Sequence, residues 1–188
     1  MERCPWPSND ELMLKYHDEE WGVPLHDDRK LFEFIVLDAF QAGLSWKIVL
    51  HRRENFRKAL DNFQPEKIAL YNKKDYERLL NDSGIIRNRA KINATITNAE
   101  RFLEVQKEFG SFAKYLWKFV DDKPVVNNYQ KLEEFPTKSD LSDQISRDLV
   151  KRGFKFVGTT ITYSFLEAAG LLNNHLHECF RFRELTQQ

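Results

Sequence analysis

The feature that most constrains this chain is a pair of cysteines at its opposite ends, Cys4 and Cys179 in 188 residues. Each has a histidine close by: His17 follows Cys4 by 13 positions, and His175 precedes Cys179 by four. On a helix an i, i+4 pair projects from one face, the spacing that lets a single element offer two ligands to a tetrahedral ion. Thiolate and imidazole together suit Zn²⁺. Four protein ligands would leave no open position, so such a zinc would be structural. It would tie the N-terminal segment to a C-terminal helix, and its binding free energy would add to that of folding. The residues alone leave a plainer alternative open, two core cysteines and two surface histidines. A disulfide is not expected. The opening Met1-Glu2-Arg3-Cys4-Pro5-Trp6 has no apolar signal segment, so the expected location is cytoplasmic, where thiols stay reduced. His177 is offset by two from Cys179 and points to another face, while His26 and His51 have no ligand-like neighbour. A catalytic metal would need an open position and a water-activating Glu, and neither a His-Glu-x-x-His nor a deaminase-type motif occurs.

Between these ends the pattern is helical. Ser8-Asn9-Asp10-Glu11 reads as a cap and acidic first turn, and Asp27-Asp28 precedes the apolar stripe Leu31, Phe32, Ile35, Val36 to Phe40. Gly43 breaks that pattern, and Ser45 is placed to cap a new helix through Trp46, Val49 and Leu50. Further helices are predicted from Pro65-Glu66, over 74–80, from about Asn88 through Leu103, and over 112–120, 141–150 and 159–169. Strand signals are weak, and 123–136, with Pro124, Asn127-Asn128 and Pro136, is the longest expected loop. The fold class is therefore all-α, one unit over 1–188 with a helical middle at about 45–150 and a lobe formed by the two termini. Apolar residues make up 41% and aromatic residues 13%, enough for a real core, and no apolar run reaches the ~18 residues that a membrane span needs.

Lys plus Arg and Asp plus Glu balance at 29 each, which argues against a general nucleic-acid coat but leaves room for a local basic face. Three clusters qualify: His51-Arg52-Arg53, Arg87-Asn88-Arg89-Ala90-Lys91 and Lys151-Arg152-Gly153-Phe154-Lys155. Taken singly, each reads as a solvated helix end.

Several long segments coincide with one family. They are Glu2-Arg3-Cys4-Pro5-Trp6, Tyr16-His17-Asp18-Glu19-Glu20-Trp21-Gly22-Val23-Pro24, Gln41-Ala42-Gly43-Leu44-Ser45-Trp46, Gly84-Ile85-Ile86-Arg87-Asn88-Arg89-Ala90-Lys91-Ile92, and Lys151-Arg152-Gly153-Phe154-Lys155-Phe156-Val157-Gly158-Thr159-Thr160-Ile161, followed by His175 and Cys179. Over nearly its full length the chain resembles the 3-methyladenine DNA glycosylase I family. The resemblance implies a helix-hairpin-helix glycosylase fold and Cys4, His17, His175 and Cys179 as ligands of one structural zinc. It implies a base pocket of Trp6, Tyr16, Trp21 and Trp46, with Asp38 at the carboxylate position and Tyr16 beside it in the chemistry. It also implies an apolar plug at Gly43-Leu44 and a phosphate-gripping hairpin at Gly84, followed by Arg87, Arg89 and Lys91. The expected partner is double-stranded DNA containing an alkylated purine, and a monomer suits the family.

The chemistry asks for such residues. An alkylated purine is cationic, which weakens its glycosidic bond before any catalyst acts, and aromatic faces both replace lost base stacking and attract the cation. A buried carboxylate accepts hydrogen bonds from an amino group. No lysine presents itself as a Schiff-base nucleophile, so a monofunctional hydrolase is expected. Each feature has a plainer role: tryptophans pack cores, Trp6 and Trp21 flank ligand positions and could shield a metal, and Leu44 could begin a core stripe.

The chain departs from the family where the usual carboxylate is Glu followed by small residues; here the run is Asp38-Ala39-Phe40. Asp is one methylene shorter, retracting its oxygens by roughly 1.5 Å. Phe40 lies about 200° around the helix from Asp38 and need not enter the same pocket. Met13 stands where an aromatic is common in the family. Two alternatives to an efficient glycosylase follow: a non-catalytic or weakly catalytic sensor that holds an alkylated base, and a zinc-dependent hydrolase of another kind.

Overall fold

The structure is a computed structural model, and it describes residues 2–186. Among these residues the chain forms eleven α-helices: α1 (Glu11–Glu19), α2 (Asp28–Gln41), α3 (Trp46–Leu50), α4 (Arg53–Ala59), α5 (Pro65–Ile68), α6 (Lys73–Asn81), α7 (Arg89–Phe109), α8 (Phe112–Trp117), α9 (Asp140–Lys151), α10 (Thr159–Ala168) and α11 (Phe180–Thr186). Among the described residues the fold is all-α apart from one short parallel bridge between β1 (Val125–Val126) and β2 (Leu172–Asn173). That bridge falls inside the expected 123–136 loop and draws it onto the segment after α10. No described helix is long and apolar enough to cross a membrane.

The predicted caps form. Asp10, Asp27, Ser45 and Asn88 each accept a hydrogen bond from a backbone N–H in the first turn of α1, α2, α3 and α7. Helix α2 is the spine of the molecule. It is buried on all sides from Leu31 to Phe40, and it packs against α10 on one flank and against α7 and α8 on another. Its two enclosed carboxyl groups have opposite surroundings. Glu33 accepts from Arg53 (2.6 Å) and Arg57 (2.9 Å), whereas Asp38 has no hydrogen-bond partner among the described residues.

Three expectations change. His175 and Cys179 do not share a helix: they lie in the irregular turn between β2 and α11, a helix the apolar pattern does not announce. The pair converges because the turn wraps around it. Second, Arg53 of the first basic cluster opens α4 and is buried, its charge spent on Glu33 and Glu20. Third, Arg152 of the last cluster pairs with Asp148 and Glu108. Neither cluster presents a full basic face.

One glycine is required by close approach. Gly170 has φ +71°, and a Cβ there would lie 2.2 Å from the Val23 carbonyl carbon. Here the strand of chain after α1 lies directly on the end of α10, held by Gly22 N–H to Glu167 O (2.9 Å) and Leu25 N–H to Ala169 O (3.1 Å). This seam brings Trp21 and the side chain of Glu167 to one cavity.

Candidate active site and metal centre

Four helices and three connecting segments meet around a cavity of about 250 Å³. Its walls carry Tyr16 from α1, Asp38 and Gln41 from α2, Trp46 at the start of α3, Ser164 and Glu167 from α10, and Trp6 and Trp21 from the turns on either side of α1. Phe135 and Leu132 close it from the loop that the β1–β2 bridge draws in. The rings form a continuous aromatic wall: Trp6–Trp21 and Tyr16–Trp46 centroids are each 5.1 Å apart, and Trp21 stacks on Phe135 at 6.4 Å.

Polar atoms on this wall lack protein partners. Asp38 is 2% exposed, and its Oδ2 is buried without a hydrogen bond, as are the indole N–H groups of Trp6 and Trp46. Buried polar groups are nearly always satisfied, so three orphans around one cavity mark a place where a ligand supplies the bonds. Burial, reinforced by the nearby Glu167, pushes the Asp38 carboxyl well above the usual carboxylate range. Burial and the Asp38 charge likewise raise Tyr16, which keeps its phenol an O–H donor. Burial lifts Glu167 to about 7, against the opposing hydrogen bond from Asn174. Burial thus favours the neutral form of both carboxyl groups, and a nearby positive charge would oppose that preference.

The Gly43-Leu44 turn joins two residues of the cavity lining, Gln41 and Trp46. Gly43 has φ +77° with open space where a Cβ would be, so conformation alone calls for glycine. Leu44 is 40% exposed, and Ile48 in α3 is 39% exposed. Lys91 is not on the surface. Its ammonium is buried and donates to Phe40 O (2.8 Å) and Ala42 O (2.5 Å), the last carbonyls of α2. It braces the plug loop from within and has no free face for a phosphate. Arg87 and Arg89 are exposed and make no ion pair among the described residues. The α6–α7 hairpin turns at Gly84, whose N–H is taken by Asp82 Oδ1 (2.8 Å). The amides of Ile86 and Arg87 in this turn have no acceptor among the described residues.

Beyond the Trp6 and Trp21 wall, Cys4, His17, His175 and Cys179 converge, all buried, with ligand atoms within 4.8 Å of one another. The sulfur-to-nitrogen spacings are 3.7 Å for Cys4–His175, 3.5 Å for Cys179–His17 and 3.6 Å for Cys179–His175. The outer nitrogen of each imidazole is engaged: His17 Nδ1 with Asp18 Oδ1 (2.8 Å) and His175 Nε2 with Trp21 O (2.9 Å). Donation there leaves the inner nitrogens as lone-pair donors. Arg3 holds Asp18 in turn. This group could hold a metal ion.

The sequence reading missed Glu167, Ser164, Gln41 and Phe135. Glu167 had a faint signal, a single acid in the otherwise uncharged 159–173 run, with no basic residue one turn away. Phe135 had none, since a loop residue reaches the cavity only through the β1–β2 bridge.

With this geometry in place, likeness to known proteins is informative. Residues 6–182 match the methyladenine glycosylase family model. The chain is 50% identical over 179 residues to DNA-3-methyladenine glycosylase 1 of Escherichia coli (strain K12), covering 95% of this chain and 96% of that protein. It is 44% identical over 177 residues to DNA-3-methyladenine glycosylase of Haemophilus influenzae (strain ATCC 51907 / DSM 11121 / KW20 / Rd), covering 94% and 96%. A solved structure of 3-methyladenine DNA glycosylase I from Staphylococcus aureus, which addresses that protein's recognition of 3-methyladenine, aligns with a TM-score of 0.92 at 38% identity over 96% of each chain. The chain belongs to the methyladenine glycosylase family.

Proposed function

We propose that this chain is a DNA glycosylase that hydrolyses the N-glycosidic bond of 3-methyladenine, or a similarly alkylated purine, in duplex DNA. The observation that carries this reading is the unpartnered Asp38 inside an aromatic cavity, with the exposed Leu44 on the turn between the lining residues Gln41 and Trp46. In the proposed complex the α6–α7 helix-hairpin-helix grips backbone phosphates with the Ile86 and Arg87 amides and the Arg87 and Arg89 guanidinium groups, without reading sequence. Leu44 fills the space left by the extruded nucleotide, on a loop held by Lys91. Trp6, Tyr16, Trp21 and Trp46 take over the stacking that the base loses. The C1′–N bond then breaks with its electron pair leaving on the base, which becomes neutral, and water adds to C1′ of the sugar and releases its proton to solvent. Because the leaving group is already activated, Asp38 acts through its charge and hydrogen bonding rather than as a strong base. Such a protein works as a monomer in the cytoplasm.

The four-residue cluster is proposed to bind structural Zn²⁺. A tetrahedral zinc with bonds of about 2.3 Å to sulfur and 2.0 Å to nitrogen spaces those atoms by roughly 3.6 Å, in keeping with the spacings found. Bound there, zinc would supply cross-linking between the two ends of the chain and take no part in the reaction.

The test is chromatography and mass spectrometry of bases released by the metal-loaded protein from duplex DNA methylated with dimethyl sulfate. Free 3-methyladenine should appear, leaving abasic sites without strand cleavage. Absence of release at high protein concentration would overturn the reading in favour of a lesion sensor.

A further inference from the structure

Among the described residues, Asp38 has no hydrogen-bond partner and Glu167 uses only one of its two carboxyl oxygens. Asp38 comes from α2 and Glu167 from α10, and the residues that line the cavity with them include no Lys, Arg or His. Elsewhere in this fold an enclosed carboxylate is neutralised, as Glu33 is by Arg53 and Arg57. Glu167 is also held in a fixed orientation. Asn174 donates through Nδ2 to Glu167 Oε1 (2.8 Å) and to Tyr163 Oη (2.7 Å), and its own Oδ1 accepts from Asn127 (2.7 Å). With its amide group engaged on both sides, Asn174 anchors one oxygen of Glu167. The other oxygen has no partner among the described residues. A purely structural glutamate bridging to Asn174 would need only the anchored oxygen, which a glutamine supplies equally well.

We infer that Glu167 is a second substrate-contacting carboxyl, which with Asp38 selects bases that carry both positive charge and N–H donors. This rests on the glycosylase reading above. The pair would compensate for the shorter reach of Asp38, since one charge-bearing wall is replaced by two converging from different helices. It also dictates which step Glu167 serves. The alkylated base is cationic while attached to the sugar and neutral once it leaves, so a carboxylate that attracts the cation strengthens binding of the intact lesion and adds little to bond cleavage. Glu167 is therefore a recognition group.

The titratable groups that interact with Glu167 are Asp38 on α2, Tyr16 on α1 and Tyr163 on its own helix, with Glu20 and Arg53 beyond Tyr16 and Tyr129 beyond Tyr163. None of the groups lining the cavity offers a compensating positive charge. Recognition should accordingly tighten as pH rises through about 7, where Glu167 ionises.

The experiment compares wild-type protein with Glu167→Gln, on duplex DNA methylated with dimethyl sulfate, by quantifying released 3-methyladenine from pH 6 to 8. Gln keeps the Asn174 hydrogen bond and removes the charge. The expected result is a KM raised about tenfold, a kcat within about threefold of wild type, and loss of the fall in KM that the wild type shows as pH rises through 7. An unchanged KM, or a loss confined to kcat, overturns the inference while the glycosylase reading stands. A wild-type protein that releases no 3-methyladenine overturns that reading, and the inference with it.

Discussion

Asp38 and Glu33 lie on the same buried helix, and the contrast between them separates an acid satisfied by the protein from one left open to a ligand. Glu33 is bonded to two arginines, while Asp38 lacks any partner among the described residues and lines a cavity. Removing the charge from Asp38 with Asp38→Asn is expected to lower base release by about 10- to 100-fold, a barrier increase of ~1.4–2.7 kcal/mol. Asp38→Glu should stay within a few-fold of wild type. A sharp rise in release on that change would show instead that the natural protein is a weakly catalytic binder. Glu167 makes a separate prediction for the ligand-free protein. Its folded pKa of about 7 lies above the ordinary 4.5, so the native state binds more protons than the unfolded state between these values. Its contribution then favours folding at low pH and is lost as pH rises from about 4.5 to 7. The stability difference between Glu167→Gln and wild type, measured by urea denaturation, should widen in favour of the variant over that interval, by of order 1–3 kcal/mol. A constant difference would disprove the shift.

At the scale of elements, two side chains from distant sequence hold helix ends in place. Asp28, in the first turn of α2, accepts from Phe112 N–H (2.7 Å), Ala113 N–H (2.8 Å) and Gln106 Nε2 (2.7 Å), and so caps α8 from another helix. Asp28→Ala should cost about 1–2 kcal/mol by denaturant unfolding, with little change in activity at temperatures where the protein is folded. Lys91 does the corresponding work at the C-terminus of α2, where it satisfies two carbonyls next to the plug loop. Lys91→Met should destabilise by about 1–3 kcal/mol and also slow base release, because Gly43-Leu44 loses its brace. A variant that loses affinity for undamaged DNA at unchanged stability would show that the ammonium contacts phosphate after all. The basic run at 87–91 gave no hint of this division. Three cations at near-alternate positions look alike in sequence, and only the packing of α7 on α2 turns one of them inward.

For the whole molecule, the cluster of Cys4, His17, His175 and Cys179 joins segments separated by most of the chain. If this cluster holds a metal as proposed, a chelator should lower the Tm and remove several kcal/mol of folding free energy. It should also alter tryptophan fluorescence, because Trp6 lies 5.4 Å from His17 and Trp21 lies 4.6 Å from His175. Cys179→Ser should reproduce both effects, and a chelator-resistant Tm would count against a structural metal. Much of this molecule could be read from local patterns. Helix starts at Asp10, Asp27, Ser45 and Asn88 follow from capping chemistry, which acts within one turn, and the four ligand-type residues are scarce enough to stand out by identity. The local rule failed for His175 and Cys179, whose spacing imitates a helix that does not form there. What only the tertiary structure decided are properties of surroundings: that Asp38 is unpartnered, that Glu167 shares its cavity, that Phe135 closes it, and that Lys91 faces inward. Each depends on which distant residues share a small volume, and a side chain's charge state and reach are set by those neighbours rather than by its position in the sequence.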